Sequence, residues 1–162
     1  MAAYYLDSSA LVKRYVSEIG SAWVLSLFDP LLKNDLLIAA ITSVEIVAAI
    51  TRRCLRQPLG GTRGGSIIAT DAIAVCNQFK SDLRSEYQVI EITESIINSA
   101  MVLAEAYGLR GYDAVQLGAG CAVNALCIAN SLPLVTFVSA DSELNAAAAT
   151  EGLLVENPNN YP

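Results

Sequence analysis

YYLDSSALVKRY, residues 4–15, decides how the fold begins. A short apolar run stops at Asp7, two serines follow, and a helical pattern takes over. An acid where a buried strand gives way to a helix has two readings. It caps the helix, accepting hydrogen bonds from the first free amides. Alternatively it is one of several carboxylates brought together to hold a metal ion. The rest of the chain bears on that choice.

The chain has 162 residues, which suits one domain. We expect a single domain over 1–156 and an irregular tail over 157–162. Hydrophobic residues make up 54% and charged residues 16%, the composition of a packed globule. No targeting segment is visible, because Asp7 interrupts the only apolar start and no basic stretch precedes it. The apolar run 114–129 contains Gln116 and Asn124, is short for a bilayer span, and reads as a core helix. These features predict a cytoplasmic protein without a membrane partner. Cys54, Cys76, Cys121 and Cys127 form no CxxC pair, which disfavours zinc and redox motifs and predicts free buried thiols.

Histidine is absent. That removes the commonest general base, the serine and cysteine triads, and imidazole metal sites. Any catalysis rests on carboxylates, hydroxyls or a hard cation. The net charge of −6 argues at face value against nucleic acid. Its distribution says more. Six of the ten Lys and Arg residues are Lys13, Arg14, Arg52, Arg53, Arg56 and Arg63, and none follows Arg110.

Short apolar strands are predicted at 3–6, 36–40, 87–90, 134–138 and 153–155. Helices are predicted over 8–16, 21–28, 42–56, 67–83, 93–107, 112–129 and 142–150, with Thr93 capping one and Gly108 ending it. QPLGGTRGGS, 57–66, breaks all periodicity and reads as a loop. Alternating strands and helices predict an α/β fold with a parallel sheet covered on both faces. Sites in such sheets form at the carboxyl ends of strands. Asp7, Glu45 and Asp141 fall at that one edge.

Each acid also has a purely structural reading. Asp7 and Asp141 suit helix N-caps, and TSVE (42–45) fits a capping box with Thr42 as the cap and Glu45 three residues on. Asp113 opens a helix that carries no further charge, where an acid favours the dipole or is buried and needs a partner such as Arg110. Convergence would change the balance. Two carboxylates about 4–5 Å apart repel by roughly 3–4 kcal/mol at an effective dielectric near 20. Exposed helix dipoles return about 0.3–1 kcal/mol each. A cluster therefore needs raised pKa values or a cation, and an all-oxygen set selects Mg²⁺ or Mn²⁺. Arg52 lies two helical turns after Glu45, with the small Ala48 and Ala49 between. Together with Lys13, Arg14 and Arg110 it is a candidate phosphate contact, the alternative being a solvated helix face. Ser8, Ser9 and Ser139 either bond metal waters or satisfy helix ends.

YYLDSSALVKRY, ITSVEIVAAITRR, LRGYDAVQLG and VTFVSADSELNAAAATEGLLVENP resemble, in order and spacing, the motifs of the PIN-domain ribonucleases. The likeness is greatest to VapC-type toxins of toxin–antitoxin pairs and spans nearly the whole chain. It implies a three-layer α/β/α sandwich with a central parallel sheet of about five strands. It puts the family's metal-binding acids on Asp7, Glu45, Asp113 and Asp141. Ser139 matches a hydroxyl position near the site, Ser8 follows the first acid as in many relatives, and Arg110 matches a common basic position. DAVQLG departs from the DALHLA of close relatives, with Gln116 for His and Gly118 for Ala. The glycine-rich 57–66 replaces a charged helix-forming stretch.

The resemblance implies Mg²⁺- or Mn²⁺-dependent endoribonuclease activity, an RNA substrate, a small antitoxin partner, a homodimer, and DNA contact through the antitoxin complex alone. Two other classes compete. One is a non-catalytic PIN-like module that binds RNA or a partner. The other is a phosphatase with Asp7 as nucleophile, which usually has a second Asp where this chain has Ser9.

Overall fold

Five parallel strands form one sheet in the order β3-β2-β1-β4-β5. The computed structural model describes residues 2–55 and 69–161. Along the chain, β1 (Ala3–Leu6) leads into α1 (Ser8–Tyr15) and α2 (Ser21–Ser26), then β2 (Asp35–Ala39), α3 (Ala40–Leu55) and α4 (Ala69–Ser85). Next come β3 (Gln88–Ile90), α5 (Glu94–Tyr107), α6 (Gly111–Ala129), β4 (Thr136–Val138), α7 (Ser142–Thr150) and β5 (Leu154–Glu156). The loop read at 57–66, with Arg56 and Arg63, lies outside the described residues.

The chain builds outward from β1 to β2 and β3, then returns to β1's other side with β4 and β5. That reversal is a topological switch point, where α/β sheets open a crevice at their carboxyl ends. Leu6 pairs with Val138, and the Asp7 amide donates to the Val138 carbonyl at 3.0 Å. Asp7 and Ser139 therefore leave adjacent strands side by side.

Successive strand residues face opposite layers. Tyr5 packs with Phe137, Ile96 and Leu103 of α5, Leu117 and Val123 of α6, and Leu144 of α7. Leu6 packs on the other face with Leu11, Ile38, Ile46, Phe79 and Val138. Two cores flank the sheet, giving the α/β/α sandwich.

Among the described residues, α6 is the one helix long and apolar enough to cross a membrane. It lies in the first core, with Ala114, Leu117, Ala119 and Val123 buried. A Cβ on Gly120 would stand 2.8 Å from the Phe137 ring, and one on Gly118 3.2 Å from the Ile96 carbonyl. Those glycines let α6 approach the sheet and α5. Thr93 caps α5 through Ile96, and Gly108 ends it at φ 66°, as read from the sequence.

Two expectations change. Helix α3 starts at Ala40, directly after β2, so the cap position falls on Ala39, which has no side-chain acceptor. Thr42 is inside the helix and buried, and no Thr42–Glu45 capping box forms. Within the tail read as irregular, Asn157 caps a 3-10 turn over Pro158–Asn160, and Tyr161 stacks on Trp23 at 4.7 Å between ring centroids.

Candidate active site

Asp7 is buried at the end of β1. Its Oδ2 accepts from the Ser9 hydroxyl at 2.6 Å, the Ser139 hydroxyl at 3.0 Å and the Ser9 amide at 3.2 Å. Ser8 Oγ approaches Oδ1 at 3.4 Å. Ser9 Oγ in turn accepts from the Ala140 amide at 2.9 Å, and Ser139 Oγ from the Asp141 amide at 3.1 Å. The hydroxyls knit β1's end to β4's end and fix the Asp7 carboxylate between them. Asp141 is exposed and caps α7, its Oδ1 accepting from Glu143 and Leu144. The capping readings of Asp7 and Asp141 are thus realised, each through one carboxylate oxygen.

Glu45 is half-buried in the second turn of α3. Gln116 Nε2 donates to its Oε2 at 2.6 Å and to Thr42 Oγ1 at 2.8 Å. The Tyr5 hydroxyl donates to Gln116 Oε1 at 2.9 Å. Burial raises the Tyr5 pKa, with the Asp7 and Glu45 charges adding, so its phenol keeps the proton it donates. Gln116 has no exposed surface. It was legible as a departure from a motif, but nothing in the sequence marks it as the residue that holds Glu45.

Burial raises the Glu45 carboxyl pKa; Gln116 and Ser8 favour its charged form, while Asp7 and Asp113 oppose it. Burial also raises the Asp113 pKa, with the Asp7 and Asp141 charges adding and Arg110 opposing. The Asp7 charge thus acts on both Glu45 and Asp113, and the Asp141 charge on Asp113. Among the described residues, no three acid or thiol side chains stand close enough to make a compact metal cage. The four side chains offer oxygen donors alone, the donor type that hard divalent cations take.

The basic residues divide. Arg52 is exposed and shares a cleft with Glu45 and Tyr112. Arg110 is exposed at the start of α6 and acts on Asp113. Lys13 is instead buried, its Nζ donating to the Ile19 carbonyl at 2.8 Å and lying 3.7 Å from Glu18. Arg14 pairs with Asp82 at 3.4 Å and lies 3.7 Å over the Phe28 ring. Neither is placed as a phosphate contact. Both sit at the end of α1 away from Asp7, where burial demands an acid or carbonyl partner.

No protein-family model matches the sequence, and no curated protein does. Solved structures do match in fold. One is a toxin–antitoxin complex from Klebsiella pneumoniae, with TM-score 0.58 and 15% identity over 96% of this chain and 97% of that one. PAE2754 from Pyrobaculum aerophilum gives TM-score 0.57 and 22% identity over 96% and 92%. VapBC2 from Rickettsia felis, bound to a DNA fragment from its promoter, gives 0.53 and 16% over 96% and 98%. The chain is an α/β protein with a five-stranded parallel sheet and shares the PIN-like fold of these structures over 96% of its length.

Proposed function

We propose that this chain is a metal-dependent endoribonuclease, the toxin of a toxin–antitoxin pair. The observation that carries this reading is electrostatic. Burial raises the Glu45 and Asp113 carboxyl pKa values, and the Asp7 charge, from a third segment, raises both further at the carboxyl edge of the sheet. Folding assembles that repulsion at a switch point, where helix capping alone would need no more than one acid per helix. The fold shared with toxin–antitoxin structures supports the same conclusion.

Asp7, Glu45, Asp113 and Asp141 would hold one or two Mg²⁺ or Mn²⁺ ions, directly or through water. The chemistry a divalent cation held there would supply is a lowered water pKa and an offset to charge on the phosphoryl and leaving oxygens. The chain's part is positioning. Ser9 and Ser139 lock Asp7 in one orientation, and Gln116 does the same for Glu45. Arg52 and Arg110 supply the cations that an acidic chain needs to attract a phosphate backbone locally. In-line attack by water on phosphorus, with the P–O3′ bond breaking and the 3′ oxygen taking a proton, would leave a 5′-phosphate and a 3′-hydroxyl. A small antitoxin fits the same site by placing an arginine among the acids in place of the cation. Homodimer formation, DNA contact through the antitoxin and a cytoplasmic setting belong to the same reading.

The test is cleavage of single-stranded RNA by the purified chain with Mg²⁺, Mn²⁺ or EDTA, with 5′ ends mapped. Asp7→Asn keeps a side chain suited to the N-cap, so the fold should persist. Cleavage should drop on the order of a thousandfold, the equivalent of several kcal/mol of charge stabilisation. Metal-independent cleavage, or full activity in Asp7→Asn and Asp113→Asn, would refute the assignment.

A further inference from the structure

A cleft of about 380 Å³ opens beside Glu45. Its walls are Ile41, Val44, Ala48 and Arg52 of α3 and, opposite, Tyr112 in the first turn of α6. Its volume is at the small end of the usual range for small-molecule sites, about 300–1,000 Å³. Two side chains there lack an evident structural task. Tyr112 is 60% exposed, although it adjoins the half-buried Asp113. Arg52 donates its Nε to the Ala48 carbonyl and, among the described residues, makes no ion pair. Arg14 and Arg53, by contrast, are both paired with acids. An exposed aromatic face, an aliphatic wall and an arginine thus line a cleft that the candidate catalytic Glu45 also lines.

We propose that this cleft is a nucleobase subsite, in which the Tyr112 ring stacks one unpaired base of the RNA and Arg52 contacts an adjacent phosphate. The inference rests on the ribonuclease reading and names how its substrate is gripped. Tyr112 contributes an aromatic ring and Val44 and Ala48 apolar surface to the same cleft, and stacking of a base on an aromatic ring is tolerant of base identity. Arg52 lies two helical turns, about 10 Å, along α3 from Glu45. A base held here belongs to a nucleotide flanking the cut bond. Base pairing would prevent its entry, so the subsite selects single-stranded segments.

The experiment compares the wild-type chain with Tyr112→Phe, Tyr112→Leu and Arg52→Gln on single-stranded RNA oligonucleotides. Cleavage gives kcat and KM. Fluorescence of 2-aminopurine, placed in turn at each position around the cut and measured in Ca²⁺ buffer, reports stacking without turnover. Tyr112→Leu should raise KM about five- to a hundredfold with kcat changed far less. It should also abolish the quenching at one flanking position. Tyr112→Phe should behave as wild type in both readouts. Arg52→Gln should raise KM and flatten its salt dependence. Wild-type KM and wild-type quenching in Tyr112→Leu would overturn the subsite even if the chain cleaves RNA. A chain that cleaves no RNA defeats the ribonuclease reading, and the 2-aminopurine signal then decides the subsite alone: Tyr112-dependent quenching supports it, and absence of quenching overturns it.

Discussion

Gln116 Nε2 lies 2.6 Å from Glu45 Oε2, and the same amide is held from behind by the Tyr5 hydroxyl and Thr42. A neutral amide performs this task without titrating, so the orientation of Glu45 does not depend on a proton on its holder. Gln116→Leu removes a hydrogen bond to a charged group, worth about 1.5–3 kcal/mol. We expect kcat on RNA to fall by about 10- to 150-fold with KM nearly unchanged. Tyr5 and Thr42 also lose their buried partner, which should lower stability by about 1–3 kcal/mol in urea titration. Wild-type kcat in a folded Gln116→Leu chain would remove Gln116 from the site.

Arg14 is a structural residue on this geometry. Its guanidinium faces the Asp82 carboxylate, donates to the Tyr87 hydroxyl at 3.0 Å and lies over the Phe28 ring. Asp82 is itself buried and accepts from Tyr15 at 2.9 Å and Gln78 at 2.6 Å. Arg14→Ala would leave that acid uncompensated, at a cost of about 3–5 kcal/mol. Chemical denaturation should register the loss, while KM for RNA under folding conditions stays at the wild-type value. A raised KM with unchanged stability would return Arg14 to the phosphate contacts.

What was legible in the sequence is what local chemistry decides. Thr93, Gly108 and Asp141 start or stop helices through groups within a few residues, and all three do so in the structure. Short apolar strands alternating with helices predicted a covered parallel sheet with Asp7, Glu45 and Asp141 at its carboxyl edge, whereas the β1–β4 adjacency that brings Asp7 to Ser139 comes from the structure. Much of what was missed rests on partners far along the chain. Gln116 meets Tyr5 across 111 residues and Glu45 across 71. Arg14 meets Tyr87 across 73. Lys13 and Arg14 looked like a basic face because the acids and carbonyl that bury them were not yet placed. Thr42 looked like a cap because the direct join of β2 to α3 leaves no trace in composition.

The stacking of Tyr161 on Trp23 makes the tail measurable, because Trp23 is the only tryptophan. Tyr161 also donates its hydroxyl to Glu156 Oε2 at 2.9 Å. Behind it, a Cβ on Gly20 would collide with the Pro158 carbonyl, so the turn is seated closely on the start of α2. Tyr161→Ala should cost about 0.5–1.5 kcal/mol beyond the lost area. Trp23 emission should shift red as its ring face meets water. An unshifted spectrum would mean the tail does not dock in solution.

If the acids hold a divalent cation as proposed, proton and metal would compete for the same carboxylates, which gives the sharpest test of the site. Burial raises Glu45 and Asp113, and the Asp7 charge raises both further. Each therefore binds its proton more tightly in the folded chain than in the unfolded one. Between the ordinary carboxyl range and those raised values, the native state holds more protons than the unfolded state. Metal-free stability contributed by these groups is full below the ordinary carboxyl pKa and declines as pH rises through the raised ones. A divalent cation binds the deprotonated form, so its stabilisation should grow across the same window and reach about 2.7 kcal/mol at about 100 times Kd. Asp113→Asn removes one repelling charge, so its metal-free Tm at neutral pH should exceed wild type while most of the gain from Mn²⁺ disappears. Thermal scans in EDTA and in Mn²⁺ at stepped pH measure both effects. A wild-type Tm indifferent to Mn²⁺ at every pH, together with an Asp113→Asn chain no more stable than wild type in EDTA, would mean these acids neither repel one another nor share an ion.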